Sequence, residues 1–280
     1  FCFQNCIVYG SHENTDEIDY THVLNSNLPK SIRVLCWSPV STDASARFDC
    51  TQRIYHYYFF SKHLDLSRMT DAAQRLIGEN DYRNFCKMDI RSGVIRFIRR
   101  IDSITFDSCH QYDQIETNDQ WIKCVISGSS FLWHQVRCMM SILFLVGLQL
   151  EEPSVMDFLL DIEQCPSRPN YHLANETPLV LYDSKYDNLN LQWFGPGNQE
   201  KQTAESILAS LRFYWSDETI KSILLSDILN EQLKLSQYRC DKLVKSNSVW
   251  PYFLPTPGIV HNQIRARQRA GTLEERLNIS

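Results

Sequence analysis

FLWHQVRCMMSILFLVGLQL, residues 131–150, places two demands on the fold. From Cys138 to Leu150 the run is almost unbroken in its apolar character. It is too short for a membrane span, which needs ~20 apolar residues. The stretch therefore reads as a buried helix over 133–149, and a helix apolar all round needs other layers to cover it. The second demand comes from its mouth, where His134 and Arg137 stand. An arginine in a helix that is otherwise core must either snorkel to water or meet an anion, because an unpaired buried charge costs on the order of several kcal/mol. His134 lies three residues earlier, on nearly the same helical face. By themselves these residues leave open a buried ion pair and a guanidinium snorkelling from the helix end, with a catalytic role behind both.

The covering layer is legible on either side. RIYHYYFF (53–60) is aromatic and β-branched and reads as a strand. Ile54, His56, Tyr58 and Phe60 lie on one face, and Arg53, Tyr55, Tyr57 and Phe59 on the other. Segments 93–106, 121–128 and 178–186 are also strand-like. Residues 67–80 carry Met69, Ala72, Ala73, Leu76 and Ile77 at helical spacing up to Gly78. Residues 151–164 form a second short helix, with Pro153 near its first turn. Upstream, a turn at Leu28-Pro29 precedes a short strand, Ile32 to Trp37, and 11–20 is a polar, acidic loop. This order of elements predicts an α+β fold: an antiparallel sheet flanked by helices over residues 1–186. Residues 187–280 form a helical and irregular extension. It begins with a linker (191–202), continues with one or two helices over 203–236 capped at Ser216 or Asp217, and ends with a helical stretch at 262–277.

Composition narrows the function. With 43% hydrophobic and 22% charged residues, the 280-residue chain is of ordinary globular type. A net charge of −5 argues mildly against nucleic-acid binding. Yet RSGVIRFIRR (91–100) holds four arginines and no acid, and Arg265, Arg267 and Arg269 alternate near the C-terminus. These are either solvated faces or phosphate contacts. The ten cysteines include no CxxC pair, and no Cys/His cluster has zinc-like spacing, so no metal is expected. They read as structural thiols in a reducing compartment. No secretory signal stands at Phe1, and a first residue other than Met suggests a piece of a longer chain. GxSxG, P-loop, GxGxxG and HExxH motifs do not occur. Tyr55 is a strand tyrosine that fits either core packing or stacking on a flat base. The polar and aromatic stretch ENDYRNFCKMD (79–89) suits a loop lining a site.

Four of these stretches, in order, resemble motifs of the TruA-type tRNA pseudouridine synthases: LNSNLPKSIRVL (24–35), ARFDCTQRIYHYYF (46–59), IGENDYRNFC (77–86) and FLWHQVR (131–137). In the first, Ser31 stands where Asp is usual. ETPLVLYD (176–183) and NFCKMD (84–89) resemble the eukaryotic branch that modifies tRNA positions 38 and 39. The resemblance runs over roughly residues 20–186. It implies the pseudouridine synthase fold, an RNA cleft across the sheet, isomerisation of a flipped-out uridine, and no cofactor. It implies that Tyr55 stacks on the uracil and that Arg137 orients the catalytic aspartate. Arg91 and Arg96, with Arg99 and Arg100, are the expected RNA contacts. The expected partner is tRNA, with homodimerisation, no membrane, and residence in the nucleus or cytoplasm.

The family's aspartate lies in a G-R-T-D-x-G-V motif upstream of LNSNLP, and no such motif occurs here. Asp16, in Asn14-Thr15-Asp16-Glu17, reads as a solvated loop residue. The chain is therefore expected to start just downstream of its nucleophile and to be inactive as it stands. Arg137 should lack its usual partner and leave a basic hole that it shares with Tyr55. An RNA-binding pseudoenzyme is the alternative. A structural interaction protein, with salt-insensitive binding, is a third class.

Overall fold

The computed structural model describes residues 20–29, 31–87, 96–109, 120–194, 201–239, 263–267 and 269. In chain order these hold α1 (Tyr20–Asn27), β1 (Gln52–Phe60), α2 (Leu66–Gln74), β2 (Gly78–Asp81), β3 (Ile98–Ser108), β4 (Trp121–Gly128), α3 (Gln135–Gly147), α4 (Val155–Leu160), β5 (Leu179–Lys185) and α5 (Lys201–Arg239). They group into two compact units. Residues 46–188 and 263–269 belong to the first, and 20–45 and 189–239 to the second.

The first unit is α+β. Its sheet runs β2-β3-β4-β1-β5, with every pairing antiparallel. In β1, Tyr57 and Phe59 are fully buried and meet Phe144 of α3 at ring separations of 6.0 and 5.2 Å. The period-2 alternation thus sends the Tyr55/Tyr57/Phe59 row under the helix. His56, on the opposite face, stacks on Tyr182 of β5 at 3.8 Å. Every residue of α3 is buried except Arg137 and Ser141. The apolar run is therefore core, and Arg137 is the one charge set into it.

Glycine fixes two close approaches. A Cβ on Gly128, at the end of β4, would lie 2.6 Å from the Arg100 carbonyl oxygen of β3. A Cβ on Gly147 would lie 2.7 Å from Sδ of Met69 in α2. A third glycine starts a strand. The helix expected to run from 67 to Gly78 stops at Gln74, and Gly78, at φ +105°, turns the chain into β2. Asp65 caps the start of α2 by accepting from the Arg68 N–H at 3.1 Å. The helix expected over 151–164 is only α4, because the Asp161 carboxylate accepts from the N–H groups of Glu163 and Gln164 and closes a turn instead.

The C-terminal residues return to this unit as a 3-10 turn, Ile264–Ala266. Ile264 is buried and its N–H donates to Glu151 Oε1 at 2.6 Å. Arg265 and Arg269 lie over the Phe158 ring at 5.1 and 5.8 Å, and Arg267 donates to the Asn170 carbonyl at 3.2 Å. The alternating arginines thus dock a terminal segment on the core. Of the helix expected over 262–277, the described residues show that one turn.

In the second unit, the Asn25 side chain both donates to and accepts from the Val34 backbone, at 2.9 and 2.8 Å. The strand expected over 32–37 is reduced to one bridge, Trp37 to Phe194, whose rings stack at 5.1 Å. α5 is a single helix of 39 residues. Ser216 and Asp217, read as caps, lie in its interior. No Gly or Pro interrupts residues 201–239, and Lys221 pairs with both Asp217 and Glu218, so capping-type residues alone do not break it. Among the described residues no helix is long and apolar enough to cross a membrane, and no cluster of metal-ligating side chains occurs.

Candidate active site

The site begins with the turn that starts α3. The Gln135 side chain reaches back to accept from the Leu132 N–H at 2.7 Å. His134 takes a left-handed backbone, φ 60°, and its carbonyl accepts the first helical bond, from Cys138. One turn on, the Arg137 guanidinium is held along one edge. Nε donates to the Ala174 carbonyl at 2.7 Å, and Nη2 pairs with Glu176 Oε2 at 2.8 Å. The Ala174 N–H returns a bond to the Arg137 carbonyl at 3.2 Å, so helix and strand-entry segment are mutually pinned. The side chain of Arg137 is only 17% exposed, which excludes snorkelling into bulk water.

Of the readings left open for Arg137, the structure shows an ion pair: a charge this deep needs a counterion, and Glu176, not an aspartate, supplies one among the described residues. Glu176 itself is 70% exposed, so the pair contributes at most about 1 kcal/mol. The Nη1 edge of the fork carries no hydrogen bond or ion pair among the described residues.

Tyr57 connects this arginine to the sheet. Its hydroxyl donates to the Asn175 carbonyl at 2.9 Å, between the two residues that hold Arg137. Burial pushes its phenol well above the ordinary value, Arg137 partly opposing and Glu176 adding to the rise, so Tyr57 stays a neutral donor. Tyr55 is two residues earlier on the same face, ~7 Å along the strand. It is half-buried, and its ring meets Phe131 edge-on at 5.1 Å. Tyr55 and Arg137 are therefore on one side of the sheet, joined through Tyr57 on β1 and through Phe131 on the segment that leads into α3.

The other expected residues are elsewhere or outside view. Arg91 and Asp16 lie outside the described residues. Arg96 is exposed just ahead of β3, and among the described residues no contact joins it to Arg137 or Tyr55. Arg100 pairs with Asp102 at 3.0 Å, and Arg99 bonds to the carbonyls of Arg96 and Ile98. The 79–87 part of the polar loop is structural. Asn84 is buried and donates to the carbonyls of Leu159 and Cys165 at 2.9 and 2.6 Å. Burial pushes the Cys86 thiol up to about 12 and raises Cys124, Cys138 and Cys165 as well, so these thiols are inert. The residues not singled out in the sequence are Glu176, Tyr57 and Phe131. All three stand inside quoted motifs, Glu176 opening ETPLVLYD, but nothing local marks it as the partner of Arg137.

A sheet with its helices packed on one face, and an arginine held at a helix start beside a strand tyrosine, defines an α+β protein with a preformed cationic site. Comparison with known proteins finds consistent similarities. A family model described as tRNA pseudouridine synthase matches residues 72–187. The chain is 42% identical over 216 residues to the tRNA pseudouridine(38/39) synthase of Bos taurus, covering 76% of this chain and 44% of that protein. It is 44% identical over 179 residues to the synthase of the same name from Saccharomyces cerevisiae (63% and 38% covered). It is 27% identical over 213 residues to the tRNA pseudouridine synthase A of Methanosarcina barkeri (71% and 72% covered). These similarities are all to tRNA pseudouridine synthases, and the family model covers less than half of the 280-residue chain. The chain spans less than half the length of the mammalian and yeast relatives it matches.

Proposed function

We propose that this protein, in its full-length form, isomerises uridine to pseudouridine at position 38 or 39 in the anticodon stem–loop of tRNA. The observation that carries the proposal is the Nη1 edge, left open among the described residues, of a guanidinium otherwise fixed by Ala174 and Glu176. A planar fork held on one side is pre-organised to grip a carboxylate on the other. That carboxylate is the nucleophilic aspartate, which is not among the described residues. The aspartate attacks the flipped nucleotide and the N1–C1′ bond breaks. The base turns, C5 bonds to C1′, the bond to the aspartate breaks and frees its carboxylate, C5 loses its proton and N1 gains one, so the atoms balance without a cofactor. Tyr55 stacks on the uracil, with its hydroxyl toward the C5 proton. Arg96 and Arg91 serve as phosphate contacts away from the reacting atoms.

The same reading makes the protein a homodimer. α5 exposes Phe213, Ile220, Leu224 and Ile228 in the single chain, which helical spacing puts on one face that a second copy would cover. Residence in the nucleus or cytoplasm fits five buried cysteines held as thiols. The test is tritium release from tRNA carrying C5-tritiated uridine, using the full-length protein. Release at position 38 or 39 supports the synthase. Salt-dependent tRNA binding without release supports the pseudoenzyme instead.

A further inference from the structure

Trp133 has no role in the chemistry above, yet its indole is 53% exposed on the turn ahead of α3. Its ring lies nearly parallel to the His134 imidazole, with centroids 4.4 Å apart and planes at 27°. The Lys87 ammonium stands 5.4 Å from the indole centroid, and the Lys87 N–H donates to the Trp133 carbonyl at 3.1 Å, which ties the two segments together. The stack depends on an uncommon backbone. Among the described residues His134 is one of three non-glycine residues at positive φ, a conformation that costs about 1 kcal/mol or more away from glycine. Burial, Arg137 and Lys87 all favour the neutral imidazole, so the second ring adds no charge to the stack.

A tryptophan that served only packing would bury its ring. This one is backed by an imidazole, flanked by a cation, and open over more than half its surface. Aromatic faces beside a positive charge suit an unpaired nucleotide, whose base stacks while its phosphate meets the cation. Arg137 is one helical turn away, and the charges that act on His134 include both Arg137 and Glu176. We propose that Trp133, backed by His134 and flanked by Lys87, is a stacking platform for an unpaired RNA nucleotide adjacent to the target uridine. The platform would hold the neighbour while the target turns out of the stack, so that the loop is anchored on both sides of the everted base.

This inference rests on the RNA-modifying reading above, and the experiment separates the two. The full-length protein is titrated into an anticodon stem–loop RNA with 2-aminopurine placed in turn on either side of the target uridine. Pseudouridine formation is measured on the unlabelled RNA. The wild type should quench the probe at one flanking position. Trp133→Ala should remove that quenching and weaken binding about tenfold, within the range for one stacked base. Trp133→Phe should keep both in part. Lys87→Gln should keep the quenching and reduce the salt slope of binding by about one. Trp133→Ala with wild-type quenching and affinity would overturn the platform. So would wild-type isomerisation with no quenching at either position, which leaves the proposed function standing. Unchanged RNA binding combined with loss of the dimer in Trp133→Ala would make this face a protein contact and overturn the platform. A wild type that neither binds nor isomerises the RNA would overturn both readings together.

Discussion

At the scale of single residues, the site is a set of fixed orientations. Arg137 is held by a carbonyl and a carboxylate, Tyr57 by a carbonyl, and Tyr55 by the edge of Phe131. His134 sets the direction in which the chain enters α3. A β-branched side chain tolerates its left-handed backbone poorly, whereas glycine accepts it without strain. His134→Val should therefore lower stability by about 1–3 kcal/mol, and His134→Gly should leave it nearly unchanged. Equilibrium urea denaturation of the two variants checks this; equal losses would mean that the backbone is not the cause. How much of the site could be read beforehand varied from residue to residue. Arg137 stood out because a charge at the mouth of CMMSILFLVGLQL has to be explained. Tyr55 was legible only as a strand tyrosine, with stacking one of its two readings. Glu176 was not legible, because its pairing depends on the strand-entry segment coming back against α3, a long-range contact with no local pattern.

At the scale of elements, β1, β4 and α3 were readable because alternation and all-round apolarity are strong local signals. The boundaries of α2 and α4 were not: α2 gives way to turn bonds at Leu76 and Ile77 before the expected Gly78, and an aspartate turn ended α4 earlier than its apolar periodicity suggested. The short strand at 32–37 failed for the opposite reason: β-prone residues form a ladder only where a partner strand exists. Gly128 and Gly147 give contrasting tests. Gly128→Ala would push Cβ against a backbone carbonyl that the β3–β4 ladder fixes. Gly147→Ala would meet Met69, whose flexible thioether can yield. Both should destabilise, Gly147→Ala by about 1–3 kcal/mol and Gly128→Ala by more. Thermal melts would refute the packing argument if the order were reversed. For α5, Ile220→Glu with Leu224→Glu should shift the full-length protein from dimer to monomer in sedimentation equilibrium. A dimer unaffected by both changes would show that this row is not the interface.

At the scale of the whole molecule, stability should respond to pH through two histidines held neutral. Burial lowers the pKa of His56, Lys123 adding and Asp107 partly opposing; burial, Arg137 and Lys87 lower that of His134. Below the ordinary value of 6.5 the unfolded chain therefore takes up protons that the folded chain refuses. Stability contributed by these groups is present above that pH and is lost as pH falls from 6.5 toward their lowered folded values. Melting temperature should drop between pH 7 and pH 5.5, and His56→Phe, which keeps a ring against Tyr182, should reduce the drop. An identical pH dependence in that variant would assign the effect to other groups.

The central claim is that the Arg137 fork is built to hold a catalytic carboxylate, with Glu176 fixing its other edge. The most direct measurement compares the single-turnover rate of pseudouridine formation at tRNA position 38 or 39 for full-length wild type and Arg137→Gln, alongside their tRNA affinities. The account predicts a rate at least about 100-fold lower, the cost of removing one charge-organising donor group, with affinity changed by less than about threefold. A variant that turns over within about twofold of wild type would contradict it.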